Sequence, residues 1–476
     1  MNRAIVAVCL LAACRDKPIA QPATGDAGPG KPLAATAPAP RDAAAVDPWV
    51  QPDAASDTPE ARRKRADAAL GRVATIKIQL AKLRSLSFDH ELPTAFQSAA
   101  EFRAFVHREI AKELPPDQSK DLSAALFHVG LLTKPIDLAE VEEQAATTQA
   151  GAYYDPAVKS FFLVMVPDSE LMLDTISAHE LTHGLQDQHF DLIKYLPPKL
   201  DDDAATARRF VVEGDATFTM LLYAVGKDKI NPAMLGVLRG QIEKFSSLDL
   251  AGLKDMTRQQ SAAFSSMDGD IKKSIDAMDD IPATVLVPML DSYMKGALVD
   301  LIAYQQGGWP AVDALFRNPP ESTEQVLHPA TKLFPNRDRP HRVSLAVPAG
   351  ARPIANNVMG ELQWSIYFGL WKPDLATKAS EGWGGDRYMV VRRADGRLVA
   401  TTATIWDTPA DAKEFADAYL ASLAVRFPGS PDPTTGVTRP GGGKVFVRTL
   451  GTKVFIVDGV DEPTAVDAAI KSTKFD

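Results

Sequence analysis

The stretch HELTHGLQDQHF contains three histidines and one glutamate within twelve residues. His179, Glu180 and His183 form an HExxH pattern, in which imidazoles four residues apart on a helix face the same way and can bind one metal ion. Glu180 lies one step round that helix, where its carboxylate can accept a proton from water without binding the metal. The pattern therefore predicts a Zn²⁺ site that activates water.

A catalytic zinc site needs a third protein ligand and one open position. His189 stands where a third histidine falls in HExxHxxGxxH, but Gln186 replaces the glycine of that pattern. A side chain there penalises the positive φ that would turn the chain back to the metal. On a continued helix, His189 lies six residues past His183 and points away from the ligand face. The other candidate is Glu213, in VVEGDATF on the next helical segment.

HExxH on one helix, followed by Glu-Gly-x-Ala on another, resembles the gluzincin metallopeptidases of the peptidase MA-like group. The resemblance implies that His179, His183 and Glu213 bind Zn²⁺ and that Glu180 is the general base. It also implies a peptide or protein substrate. On this basis we expect Glu213, rather than His189, as third ligand, and GLQDQHF as the end of the helix.

The resemblance extends over most of the chain beyond residue 58. HELTHGLQDQHF, EGDA, STEQVLHP and GWGGDRY are together similar to a family of bacterial and archaeal surface proteins with a predicted metalloprotease domain. This similarity implies a zincin-like fold for the metal-binding part. It implies no particular substrate.

Several further side chains have candidate roles near such a site. His328, in the polar segment STEQVLHP, could donate to the oxyanion of a tetrahedral intermediate, or it could simply order its loop. Tyr293 is a weaker candidate for the same catalytic role. Asp215 could orient a ligand histidine, or it could simply be solvated. His107 and His128 lie in helical segments, where a lone histidine is packed or exposed more often than it binds a metal.

The first residues, MNRAIVAVCLLAAC, combine Arg3 with an apolar run too short to cross a bilayer, which is typical of a signal peptide over residues 1–14. Its end, LAAC, resembles the lipobox of bacterial lipoproteins, which implies lipidation of Cys14; the alternative is a plain secretion signal that ends in cysteine. Cleavage would remove Cys9, the only other cysteine, so a disulfide is excluded. We expect an exported protein of the bacterial cell envelope, attached to the membrane through lipid only.

Composition divides the rest of the chain. Residues 15–58 are rich in Ala, Pro, Gly and Asp and predict a disordered tether. Residues 59–340 are mainly helical, with a β-hairpin in YYDPAVKSFFLV. Residues 341–476 mix strands and helices, among them a helix over Pro409–Arg426. The predicted fold class is α+β: a mainly helical zincin-like domain with a small sheet, followed by a smaller α+β domain.

The formal net charge of −9 argues against a nucleic-acid binder, because phosphate binding requires clustered Lys and Arg. Two functions compete with a peptidase. One is a non-catalytic binding lipoprotein with a structural or vestigial zinc, acting through its C-terminal domain. The other is a zinc hydrolase that acts on non-peptide bonds, which the same ligands permit.

Two local predictions concern the surroundings of these motifs. The helix that carries HELTH is expected to begin with Asp168 or Ser169 as N-cap. In GWGGDRYMVV the glycines are expected to form a tight turn, with Asp386 and Arg387 paired after it.

Overall fold

The computed structural model describes residues 5–8, 58–147, 150–164, 170–248, 252, 280–428 and 435–476. Cys14, the tether before Thr58 and the expected N-cap at Asp168 or Ser169 lie outside the described residues. Across the described part of the chain, no helix combines the length and the apolar character needed to span a bilayer.

Helices dominate the part of the chain that contains the HELTH motif, and local capping explains where several of them begin. Thr58 Oγ1 accepts the Ala61 amide at the first helix, and the Asp201 side chain accepts the Ala204 amide at the helix that carries Glu213. The helices are α1 (Pro59–Arg84), α2 (Ala99–Glu113), α3 (Pro116–Val129), α4 (Leu138–Thr147), α5 (Glu170–Phe190), α6 (Leu192–Tyr195), α7 (Asp202–Val225), α8 (Pro232–Ser246), α9 (Ala283–Gly307), α10 (Trp309–Arg317) and α11 (Thr323–Leu327).

A four-stranded sheet lies beside α5. Its strands are β1 (Ile5–Val8), β2 (Thr94–Phe96), β3 (Ala150–Asp155) and β4 (Ser160–Leu163), in the order β1–β3–β4–β2. The predicted hairpin is confirmed, since β3 and β4 pair antiparallel with Asp155 opposite Ser160. This sheet places the backbone of β3 against the helix that carries the HExxH residues.

Helices α7 and α9 pack unusually closely, and two glycines allow it. A Cβ added to Gly214 would lie 2.3 Å from the backbone carbon of Gly296, and one added to Gly296 would lie 2.2 Å from the Phe210 oxygen. No real side chain tolerates such distances. The glycine of EGDA therefore lets α9 approach the residue next to Glu213.

The α+β class is confirmed, as is the predicted helix over Pro409–Arg426.

The C-terminal part is built on a six-stranded sheet formed by the strands β6 to β11 defined next, in the order β6–β7–β8–β11–β10–β9. The strands are β5 (Val343–Ser344), β6 (Arg352–Asn357), β7 (Trp383–Arg392), β8 (Leu398–Trp406), β9 (Val437–Thr438), β10 (Lys444–Leu450), β11 (Lys453–Val460) and β12 (Lys474–Phe475), the last paired with β5. The helices are α12 (Gly360–Trp371), α13 (Ala376–Ser380), α14 (Pro409–Arg426) and α15 (Thr464–Ser472).

The turn predicted for GWGGDRYMVV is confirmed only at Gly382, which follows Glu381 in a turn and has a φ of +76°. Strand β7 already begins at Trp383, and the glycines after it form an irregular step in the pairing with β8. Asp386 and Arg387 do not pair, since neighbours on a strand point to opposite faces. The buried Asp386 carboxylate accepts the indole N–H groups of Trp364 and Trp383, together with two backbone amides. Arg387 instead donates to Asn356.

Candidate metal centre

The structure brings the three predicted metal ligands together, two from α5 and one from α7. His179 Nε2 lies 3.2 Å from Glu213 Oε2, and His183 Nε2 lies 3.5 Å from the same oxygen. The two Nε2 atoms lie 3.1 Å apart. His179 and His183 are 2% and 0% exposed, and Glu213 is 6% exposed. The three donor atoms therefore face one buried point between the two helices.

These separations fit the ligand shell of a tetrahedral metal ion. Zinc binds nitrogen and oxygen at about 2.0–2.1 Å, so two ligand atoms at the tetrahedral angle lie roughly 3.3 Å apart. The observed donor separations run from 3.1 to 3.5 Å. Two imidazoles and one carboxylate are also the donor set of the His₂Glu catalytic zinc sites. The residues present therefore fit a zinc ion.

The charges within the cluster suit the same interpretation. Burial opposes the ionisation of Glu213, but the two histidines lower the pKa of its carboxyl to about 2. Burial also disfavours a charge on His183, but the Glu213 carboxylate raises its pKa to about 9. Burial lowers the pKa of His179. A proton on His183 thus balances the Glu213 carboxylate, and a divalent cation would take the place of that proton.

Gln186, the residue that replaces the metzincin glycine, is an outer hydrogen-bond partner of a ligand histidine. Its amide nitrogen donates to Val212 O and to Asp215 Oδ2, at 2.9 and 3.0 Å. Its Oε1 therefore accepts the proton of His183 Nδ1, 2.8 Å away. This bond makes Nε2 the ring nitrogen that faces Glu213, and Nε2 would offer its lone pair to a metal ion that replaces its proton. Sequence analysis missed this role, although the position of Gln186 one turn after the motif was a usable signal.

His189 lies outside the cluster. Its Nε2 lies 2.7 Å from the Ser87 carbonyl oxygen, near the surface. GLQDQHF is the last part of α5, as expected, and the helix ends at its final residue, Phe190. The unbroken helical phase carries His189 away from the face that holds His183.

Glu180 is fully buried beside the two histidines. One side-chain donor atom each of His179, Glu180 and His183 lies within 4.8 Å of the others. Glu180 Oε2 accepts the backbone amide of Tyr154 on β3, at 2.8 Å. Tyr293, on α9, also reaches the cluster, with its ring centre 5.7 Å from that of His179. The hairpin, α5, α7 and α9 thus each contribute to the site.

His328 makes its contacts elsewhere. Its Nε2 lies 2.7 Å from Glu361 Oε1, which joins the end of α11 to α12. This contact supports the alternative in which His328 orders its loop. A role in catalysis stays a prediction.

A buried ion-pair network contacts Gln186, the hydrogen-bond partner of His183. The sequence around the HExxH motif does not indicate that Arg84 belongs to this network. Arg84, at the end of α1, donates through Nε to Asp215 Oδ1 at 2.7 Å, and its Nη2 lies 2.8 Å from Asp313 Oδ1. The Arg84 and Asp215 side chains are 0% exposed. Asp215 thus joins Arg84 to Gln186, and through it to His183.

Replacing Gln186 with Leu is expected to weaken metal binding by about 10–100-fold, the usual effect of losing an outer hydrogen-bond partner. The variant removes the acceptor that holds the proton on His183 Nδ1 while keeping a side chain of similar size. Zinc affinity measured by competition with a chromogenic chelator tests this. Gln188→Leu is the matched control, because Gln188 lies on the same helix and bonds only to the backbone of His90. Equal affinities in the two variants would rule out the proposed role of Gln186.

Comparison with known proteins bears on the C-terminal part only. Residues 348–469 match a family model described as a domain of unknown function (DUF8575). The matched region contains all six strands of the C-terminal sheet and none of the four residues His179, Glu180, His183 and Glu213. No curated protein and no solved structure matches the chain.

Proposed function

We propose that this protein is an exported zinc metallopeptidase, anchored to the cell envelope by lipid at Cys14, that hydrolyses peptide bonds. The observation that carries the proposal is the convergence of His179, His183 and Glu213 at separations of 3.1–3.5 Å. Glu180 beside them supplies the one additional group that hydrolysis needs. The zincin-like assignment of the metal-binding part belongs to the same proposal.

His179, His183 and Glu213 would hold the ion, which when bound supplies a Lewis acid for the scissile carbonyl and lowers the pKa of water. Glu180 accepts a proton from the attacking water and passes it to the leaving amine. The Tyr154 amide keeps the Glu180 carboxylate in place. The Gln186 and Arg84 contacts hold His183 in the tautomer that binds a metal.

The proposal is tested by incubating the tether-free protein with a peptide library, with and without a chelator. We expect cleavage at defined bonds, which stops with the chelator and returns when Zn²⁺ is added. If metal-loaded protein cleaves no peptide above the background of the chelated sample, the peptidase proposal fails.

The burial of the site favours a second candidate, a non-catalytic binding protein with a structural zinc. His179, Glu180, His183 and Glu213 are all at most 6% exposed. A structural site is closed, whereas a catalytic one keeps a position open to ligands. Titration of the zinc-loaded protein with a peptide hydroxamate separates the two: saturable binding supports the peptidase, and its failure to bind supports a structural zinc.

A further inference from the structure

A concave site lies between α3, the start of β8 and the loop that leads into β10. Its volume is about 430 Å³, within the range of pockets that hold small organic molecules. None of the residues that line it belongs to the metal centre. It faces the C-terminal sheet on one side, where Gly459 allows the β11 backbone to approach His128.

The charged side chains that line this pocket, among the described residues, are all cationic: Lys120, Arg397 and Arg439. Arg397 is balanced by aspartates outside the lining, and Arg439 by the buried Asp458. Lys120, on the exposed face of α3, has no ion-pair partner in the described part of the chain. The pocket wall therefore carries positive charge that the protein does not fully neutralise.

His128, which is almost fully buried, also lines this wall. Its Nε2 accepts from Arg439 Nη1 at 3.1 Å. Burial is the main cause that lowers the pKa of His128, with Arg439 and Arg426 adding to it and Asp458 opposing it. These neighbours therefore disfavour a further positive charge on the His128 ring.

Apart from Ser123, whose hydroxyl donates to the Ile136 carbonyl oxygen, the rest of the lining is formed by apolar residues and glycines. Phe127 is 40% exposed, an unusual position for a phenylalanine, and Ile136 and Leu398 also line the pocket. Gly441 and Gly442 have φ values of +88° and +99°, and a Cβ on either would meet nothing within 4 Å. Both glycines therefore have a backbone conformation that other residues disfavour, and neither has a side chain that could narrow the opening of the pocket.

We infer that this pocket binds a small organic anion, in which a phosphate or carboxylate group is attached to an apolar ring or chain. Lys120, Arg397 and Arg439 face the anionic group, because ionised donors make the strongest hydrogen bonds to such oxygens. Phe127 and Leu398 face the apolar portion. This inference does not depend on the metal centre or on the proposed peptidase activity.

The test is calorimetric titration of the whole mature protein with phenyl phosphate, phenylacetate and, as a neutral probe, benzyl alcohol. We expect saturable binding of at least one of the two anions and no binding of benzyl alcohol. Comparison of the two anions shows whether the pocket prefers a phosphate or a carboxylate group. Lys120→Glu should weaken the binding by about tenfold or more. Lys471→Glu, an exposed lysine on α15 outside the pocket, should leave it unchanged.

A second variant tests the apolar part of the pocket independently of charge. Ala124→Phe fills the space beside Phe127 and should abolish binding while the thermal unfolding curve stays that of the wild type. Absence of saturable binding of both anions overturns the inference. Equal affinities in the Lys120→Glu and Lys471→Glu variants overturn it as well.

Discussion

Replacing Glu180 with Gln is expected to reduce peptide hydrolysis by about 10²–10⁴-fold, the usual contribution of a general base. The amide cannot accept a proton from water, but its oxygen can still accept the Tyr154 amide, so the local packing is preserved. His179, His183 and Glu213 are untouched, and zinc content should remain that of the wild type. Turnover of a peptide identified in the library screen, normalised to zinc content, measures the effect.

Glu243→Gln is a suitable control for this experiment, because Glu243 forms only an exposed pair with Arg239 on α8. It should retain wild-type turnover. Full activity in zinc-loaded Glu180→Gln protein would exclude Glu180 as the base, and loss of zinc from that variant would show that Glu180 binds the metal instead.

Replacing Arg84 with Met is expected to lower the free energy of unfolding by about 3–5 kcal/mol, as when one partner of a buried ion pair is removed. Asp215 would then be buried without its cation. Burial and Asp215 raise the pKa of Asp300 and Arg84 lowers it, so the variant would also take a nearby cation away from Asp300. Arg84 also packs over the Trp309 ring, at 4.5 Å from its centre, so packing is lost as well.

Urea unfolding of the chelator-treated protein measures this effect separately from metal binding. Arg63→Met is the matched control, because Arg63 lies on the same helix and pairs with Asp67 where both side chains are more than half exposed. Such a surface pair contributes little to stability. A stability for Arg84→Met as high as that of Arg63→Met would contradict a supporting role for the buried network.

Local signals explain which parts of the fold could be predicted. The helix over Pro409–Arg426 was placed correctly because Thr408 and Asp411 form a capping box and proline occupies the first turn. The hairpin around Asp155 and Pro156 was also predicted correctly, because strand-forming aromatic residues lie on both sides of a turn. Asp386 shows the opposite case, because its partners Trp364 and Met359 come from a helix and a loop that only the folded sheet brings to it.

The residues of the candidate site also divide into those that the sequence predicted and those that it did not. His179, Glu180 and His183 were predicted because their spacing is a property of one helix. Glu213 was predicted from a resemblance, and the structure brings it to the two histidines by packing α7 against α5. The support from Arg84 could not be predicted, since it depends on a contact between residues 131 positions apart.

The most direct test of the metal centre is the zinc content of purified protein, measured by mass spectrometry for the wild type and two variants. We expect one zinc per wild-type chain, loss of that zinc in Glu213→Ala, and its retention in His189→Ala, since His189 bonds to the Ser87 carbonyl rather than facing the cluster. Zinc lost from His189→Ala but kept by Glu213→Ala would contradict the assignment of the third ligand.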